Sequence, residues 1–356
     1  MIVKWTAAAV AAFVLSATFS AAAQEAPPQF LPPVVEPSPG VKDPTAYARN
    51  PLTYTDAQGH SVHAKPTAEV ERRIHSILTP AAQLVTYGGG SIMQTAQIYN
   101  IFWAPPKLQN GTAAVMTAHY EAVTNSMSAG YVGHTISSNN TQYYQKVSTI
   151  VTDISGLTTL PGGSAGSFGG SYVDVNPFPA SQCTDTATPG NCVTDAQMQT
   201  EIKRVMKLKG WTGGLNKIYM MYTAKGEGSC FAGTGCAYTD YCGYHGNIGL
   251  NSSAIIYVNM PYGDPGCSNG KSPNNDPDAD SAADTATHEI SESITDPVNG
   301  TGWTDASGNE IGDKCNTSYG AFNYDGGKAN QYWNGHYWDT QEEWDNHTGA
   351  CAQVGP

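Results

Sequence analysis

The sequence predicts an α+β domain: a mixed β-sheet with helices packed on it and loops braced by disulfides. Two observations lead there. Short apolar runs of strand character, such as KIYMMYT at Lys217 to Thr223 and AIIYVNM at Ala254 to Met260, interleave with amphipathic stretches of helical period. All eight cysteines fall between Cys183 and Cys351, leaving the N-terminal half with none.

Residues 1–23 carry Lys4, an apolar run from Ala7 to Phe19, and Ala21, Ala22 and Ala23 ahead of Gln24. This is the pattern of a secretory signal peptide rather than a membrane span. It places the protein outside the cytoplasm, extracellular or periplasmic. Residues 24–86 include PPQFLPPVVEPSPGVKDP, a proline-rich stretch that cannot form regular hydrogen-bonded structure. The segment reads as an extended arm or pro-segment without chemistry of its own. Within it, Val70, Ile74, Ile77 and Leu78 recur at helical spacing and predict a short helix over Pro66 to Leu78.

A single globular domain is expected over 87–356. It opens on TYGGG and continues into a run whose Ile98, Ile101, Phe102 and Trp103 read as strand. Ala114, Val115, Ala118, Ala122 and Val123 form an apolar stripe that predicts a helix from Thr112 to Met127. LPGGSAGSFGGSYVDV lacks the lysine of a phosphate loop and reads as a turn-rich surface segment. Thr194 to Lys209 predicts a helix capped by Thr194 and closed by Gly210, with Met198, Ile202, Val205 and Met206 on one side.

Spacing suggests the pairs Cys183 with Cys192, Cys230 with Cys236, Cys242 with Cys267 and Cys315 with Cys351. A zinc cluster of thiolates would need close CxxC pairs, which the sequence does not contain. The formal charge is −13, and −14 once Lys4 leaves with the signal peptide. That balance disfavours nucleic acid and anionic membrane surfaces as partners. No membrane span is expected.

The chemistry concentrates in ADTATHEISESITDP, where His288, Glu289 and Glu292 read HExxE. Residues four apart share one helix face about 6 Å apart along the axis, so His288 and Glu292 can reach one ion. The pattern is a variant of the zinc-hydrolase HExxH with the second histidine replaced by glutamate. Glu289 is then the catalytic group, taking a proton from water and passing it to the leaving amine. Zinc is the expected cofactor, with calcium or manganese as harder alternatives suited to the extra carboxylate. Downstream, GNEIGDKC supplies Glu310 and Asp313, 18 and 21 residues after Glu292. Glu310 is the first choice as third metal ligand and Asp313 the second, the other one holding His288 from behind. His245, in YHGN, either makes a structural turn or lines the site.

YGGGSIMQTAQIYNIFW, CGYHGNIG, THEISESITDP and EIGDKC, in that order, followed by a Trp-rich segment before the last cysteine, resemble the secreted phosphate-induced, or Exordium-like, proteins and their bacterial relatives. The similarity spans about Tyr87 to Cys351. It implies an extracellular or wall-associated protein with a motif like HELAE at His288 to Glu292, and places Glu310, Asp313 and His245 at family motif positions. It also implies that the tail, with Trp333, Trp338 and Trp344, forms a hairpin or pair of strands closed by Cys351. Two functions are therefore expected. One is a zincin-like metallopeptidase acting on a peptide or protein substrate. The other is a non-catalytic extracellular or cell-wall-associated protein with a structural metal.

Overall fold

The computed structural model describes residues 52–77, 84–131, 142–144, 166–231 and 235–354. The signal peptide expected over 1–23 and the proline-rich stretch ahead of Leu52 lie outside the described residues. Seven strands build the main sheet: β1 (Thr53–Thr55), β2 (Ser61–Pro66), β3 (Gln97–Trp103), β4 (Ser167–Asp174), β5 (Lys217–Thr223), β6 (Tyr241–Ile248) and β7 (Ile255–Met260). Their order across the sheet is β1-β2-β6-β7-β5-β3-β4. The first four pair antiparallel in turn, and β7, β5, β3 and β4 pair parallel, so the sheet is mixed.

Among the described residues, four α-helices pack around it: α1 (Ala68–Ile77), α2 (Ala118–Tyr131), α3 (Asp195–Lys209) and α4 (Pro277–Thr295). Alternation along each strand divides the core in two. Ile98, Phe102, Ile218, Met220, Val258 and Met260 face α2 and α4, whereas Tyr99, Ile101, Tyr219, Met221 and Tyr257 face α3. Central strands covered on both faces have no solvent side, and for that reason KIYMMYT is apolar at nearly every position.

Helix α4 is buried at every position from Ala279 to Thr295. Asp276 caps it by accepting from the Ala279 N–H at 3.1 Å, and Pro277 occupies the first turn, where no donor is needed. It thus begins at Pro277. Asp296, just before Pro297, closes it.

Three expectations are corrected. Within the arm or pro-segment expected over 24–86, residues 52–77 carry sheet and helix: β2 sits inside the sheet, paired antiparallel with β6, and Val62 and Ala64 are fully buried. Apolar residues alternating with His63 and Lys65 make it a two-faced strand. The helix expected from Thr112 starts at Ala118, because Val115 is held in a bridge to Lys225 and the Thr117 hydroxyl accepts from the Tyr120 N–H. SFGGSYVD is β4 rather than a surface turn. Its Gly169 lies under the Tyr99 ring, where an added Cβ would come within 2.4 Å, so the glycine serves close approach and not a bend.

All four cysteine pairs suggested by spacing are disulfides: Cys183–Cys192, Cys230–Cys236, Cys242–Cys267 and Cys315–Cys351. Four disulfides are consistent with a non-cytosolic protein. Among the described residues, no helix is long and apolar enough to cross a membrane. The tail forms two small hairpins, Gln331–Trp333 with His336–Trp338 and Glu343–Asp345 with Ala350–Ala352, the second containing Cys351.

Two predictions follow from this packing. A Cβ on Gly263 would lie 1.8 Å from the Asp278 carbonyl oxygen in the first turn of α4. Gly263→Ala should lower the denaturation midpoint by an amount corresponding to about 1–3 kcal/mol, read by denaturant unfolding. Glu227 is fully buried, and burial pushes its carboxyl up to about 8 from 4.5. The stability this group contributes is full below about pH 4.5 and lost as pH rises through about 8. Glu227→Gln, neutral throughout, should gain stability relative to the parent between pH 5 and 9, a trend that equilibrium unfolding at each pH will show.

Candidate metal centre

Strand pairing and one helix bring the site together. His63 on β2 lies directly opposite His245 on β6, and alternation turns both rings toward α4 with centroids 6.0 Å apart. On α4, His288, Glu289 and Glu292 form the floor. The chain then loops back so that Glu310 and Asp313 cover them. Asp305 accepts from the Ser307 and Asn309 N–H groups to shape that loop, and the Cys315–Cys351 disulfide ties its end to the tail.

Two glycines permit this approach. A Cβ at Gly312 would fall 2.7 Å from His288 Nδ1 and 2.8 Å from Glu292 Oε1, and one at Gly243 would fall 2.8 Å from the Thr285 methyl of α4. The result is dense. His63, His245, His288, Glu289, Glu292 and Glu310 are each 0% exposed and Asp313 8%.

Contacts set the imidazole tautomers. Gln341 donates from Nε2 to the Gly312 carbonyl at 2.9 Å, which turns its Oε1 toward His288 Nδ1 at 3.1 Å. His288 therefore donates from Nδ1 and keeps a lone pair on Nε2, 3.2 Å from Glu292 Oε1. His245 Nδ1 lies 3.3 Å from Glu289 Oε2, and its Nε2 is 3.5 Å from Glu310 Oε2. His63 Nε2 bonds Asp313 Oδ2 at 2.5 Å, with Thr53 Oγ1 on its other nitrogen at 3.0 Å. The Asp313 N–H donates to Glu292 Oε1, the Glu310 N–H to Asp313 Oδ2, and the Lys65 N–H to Glu289 Oε1.

Burial dominates the electrostatics. It pushes Glu310 and Glu292 well above the carboxylate range, with neighbouring carboxylates adding to the effect, and lifts Glu289 to about 7. Burial also pulls His288 down, and pulls His245 down to about 3 with help from His63. For His63 burial acts downward, but Asp313 more than offsets it and holds the ring up at about 9. Asp313, pushed up by burial, ends below its ordinary value because His63 faces it. The nearby ammonium of Lys65 is engaged by Asp284 at 2.7 Å and does not neutralise the cluster.

Six buried atoms in this cluster have no hydrogen-bond partner among the described residues: His245 Nε2, His288 Nε2, Glu292 Oε2, Asp313 Oδ1 and both oxygens of Glu310. A buried polar atom left unpaired is costly, and the carboxylate oxygens and His288 Nε2 among these are lone-pair donors of the kind that bind divalent cations, while His245 offers one such lone pair on one of its two ring nitrogens. His63, Glu292, Glu310 and Asp313 offer ligand atoms within 4.8 Å of one another, as do His245, Glu289 and Glu292. A cavity of about 860 Å³ lies elsewhere, at the start of α3 beside His60 and Asp195. Asp195 there is already satisfied by Tyr244, Tyr257 and Gln199, so the cluster rather than the cavity lacks partners.

The five residues singled out in the sequence, His288, Glu289, Glu292, Glu310 and Asp313, are thus brought together, and His245 joins them. One detail differs: Gln341, not Glu310 or Asp313, holds His288 from behind. His63 was not anticipated. Its signal was the alternation in SVHAKP, which marks a strand with a polar face. His119, at 3.1 Å from the Asn274 carbonyl, is exposed and apart from the site. No protein-family model matches the chain, and no curated protein or solved structure is significantly similar to it.

Gly312→Ala tests the packing of this centre. The added methyl should push the Glu310–Asp313 loop off α4, lowering the melting temperature and at least halving metal retention after dialysis, read by calorimetry and elemental analysis.

Proposed function

We propose that this chain is a secreted metal-dependent hydrolase of zincin-like design that cleaves peptide bonds. The observation that carries the reading is the convergence of unpartnered, buried lone-pair atoms from His245, His288, Glu292, Glu310 and Asp313 around the HExxE helix. The layout supports it: α4 and α2 share one face of a mixed sheet, and antiparallel β6 runs beside the motif. The ordered motifs that resemble Exordium-like proteins fit the same extracellular setting.

His288 and Glu292, with Glu310 and Asp313, would hold the ion. Zinc suits the mixed nitrogen and oxygen set, while the number of carboxylates also fits manganese or calcium. Such an ion, when bound, supplies Lewis acidity toward a carbonyl and acidifies water. Glu289, beside these ligands, would take up the proton and return it to the leaving amine. Gln341 keeps His288 in the neutral tautomer with Nε2 directed at the centre.

A second reading rests on the burial itself. Side chains that are 0% exposed bind a structural ion as readily as a catalytic one, and such an ion would cross-link β2, β6, α4 and the Glu310–Asp313 loop without chemistry. Glu289→Gln separates the two. For a hydrolase, cleavage of an unstructured protein should fall at least ~100-fold in kcat. The ion held by His288, Glu292, Glu310 and Asp313 and the melting temperature should remain. Unchanged cleavage removes Glu289 from the mechanism. Absence of cleavage in the metal-loaded parent, together with a large drop in melting temperature on chelation, favours the structural ion.

A further inference from the structure

The donors in the cluster exceed what one ion can use. Three histidines and four carboxylates meet there, all buried. A divalent cation of the zinc type takes about four to six donors. The groups also divide into two sets: His63, Glu292, Glu310 and Asp313 are mutually within ligand spacing, and so are His245, Glu289 and Glu292. Glu292 alone belongs to both.

Its two oxygens point to different partners. Oε1 lies 3.2 Å from His288 Nε2 and accepts from the Asp313 N–H at 3.1 Å. Oε2 lies 3.6 Å from His245 Nδ1 and has no hydrogen-bond partner among the described residues. A carboxylate split in this way has the geometry of a bridge.

Spacing supports the second set. His245 Nδ1 is 3.3 Å from Glu289 Oε2 and 3.6 Å from Glu292 Oε2. Charge-assisted hydrogen bonds are shorter, about 2.7–2.9 Å. Two donors on one tetrahedral ion at about 2.0–2.1 Å stand roughly 3.3–3.4 Å apart.

Charge points the same way. With Lys65 engaged by Asp284 and His63 facing Asp313, one divalent ion leaves part of the charge of the four buried carboxylates uncompensated, which a second ion offsets.

We propose that the cluster holds two divalent cations bridged by Glu292, one held as above with His288, Glu310 and Asp313, with His63 beside it, and the other with His245 and Glu289. The inference rests on the metal-centre reading above and adds a second ion to it. Glu289 then serves the second ion as ligand, and the proton-accepting role is confined to the singly loaded centre.

The test is stoichiometry on the full chain. Loaded with zinc alone and freed of excess, the parent should carry two equivalents by elemental analysis. His245→Ala and Glu289→Gln should each carry one, with unchanged circular dichroism. Loaded with manganese alone, the parent should show a spin-coupled electron paramagnetic resonance spectrum that becomes an uncoupled six-line signal in His245→Ala. One equivalent and an uncoupled spectrum in the parent overturn the second ion and leave the hydrolase reading standing. Zero equivalents overturn both. If His245→Ala fails to fold, the parent's stoichiometry and coupling decide.

Discussion

The constraint on which this structure turns is the burial of four carboxylates, Glu289, Glu292, Glu310 and Asp313, against one helix. Ions taken out of water are strongly penalised unless they are paired, and the protein supplies little pairing of its own. His63 answers Asp313, and the Asp313 and Lys65 N–H groups answer single oxygens of Glu292 and Glu289. What is left over is a set of lone pairs on imidazole and carboxylate that face one another. A cation completes such a set, whereas without one the groups must hold protons, and accordingly Glu292 and Glu310 stand far above the usual carboxylate range.

The fold can be understood as the means of holding those groups in place. The antiparallel half of the sheet carries His63 and His245 side by side, and the parallel half supplies the apolar core that supports α2 and α4. Cys242–Cys267 ties β6 to the turn ahead of α4, and Cys315–Cys351 ties the Glu310–Asp313 loop to the tail hairpin. Each clamp shortens the path by which the cluster could open, which matters for groups whose repulsion would otherwise separate them. Gln341 adds a finer control by setting the His288 tautomer from the far side.

What was legible in the sequence was local. His288, Glu289 and Glu292 share a helical turn, and Glu310 and Asp313 follow within one loop, so spacing alone connects them. His63 precedes Asp313 by 250 residues, and only the pairing of β2 with β6 brings it there. Register between distant strands leaves no trace in short-range periodicity, and the prolines upstream suggested an arm instead. SFGGSYVD was misjudged for a related reason: its glycines signal turns by composition, but Gly169 makes room for Tyr99 on the neighbouring strand. The cysteine pairs were readable because each closes a short segment, the longest spanning 36 residues.

The most direct test of the account is X-ray absorption at the zinc edge on the purified, zinc-loaded chain after exhaustive dialysis. The account predicts retained zinc in a shell of nitrogen and oxygen at about 2.0–2.1 Å, with outer-shell imidazole scattering that weakens in His288→Ala. A chain that retains no zinc, or one whose zinc shows a sulfur shell or no imidazole scattering, would contradict it.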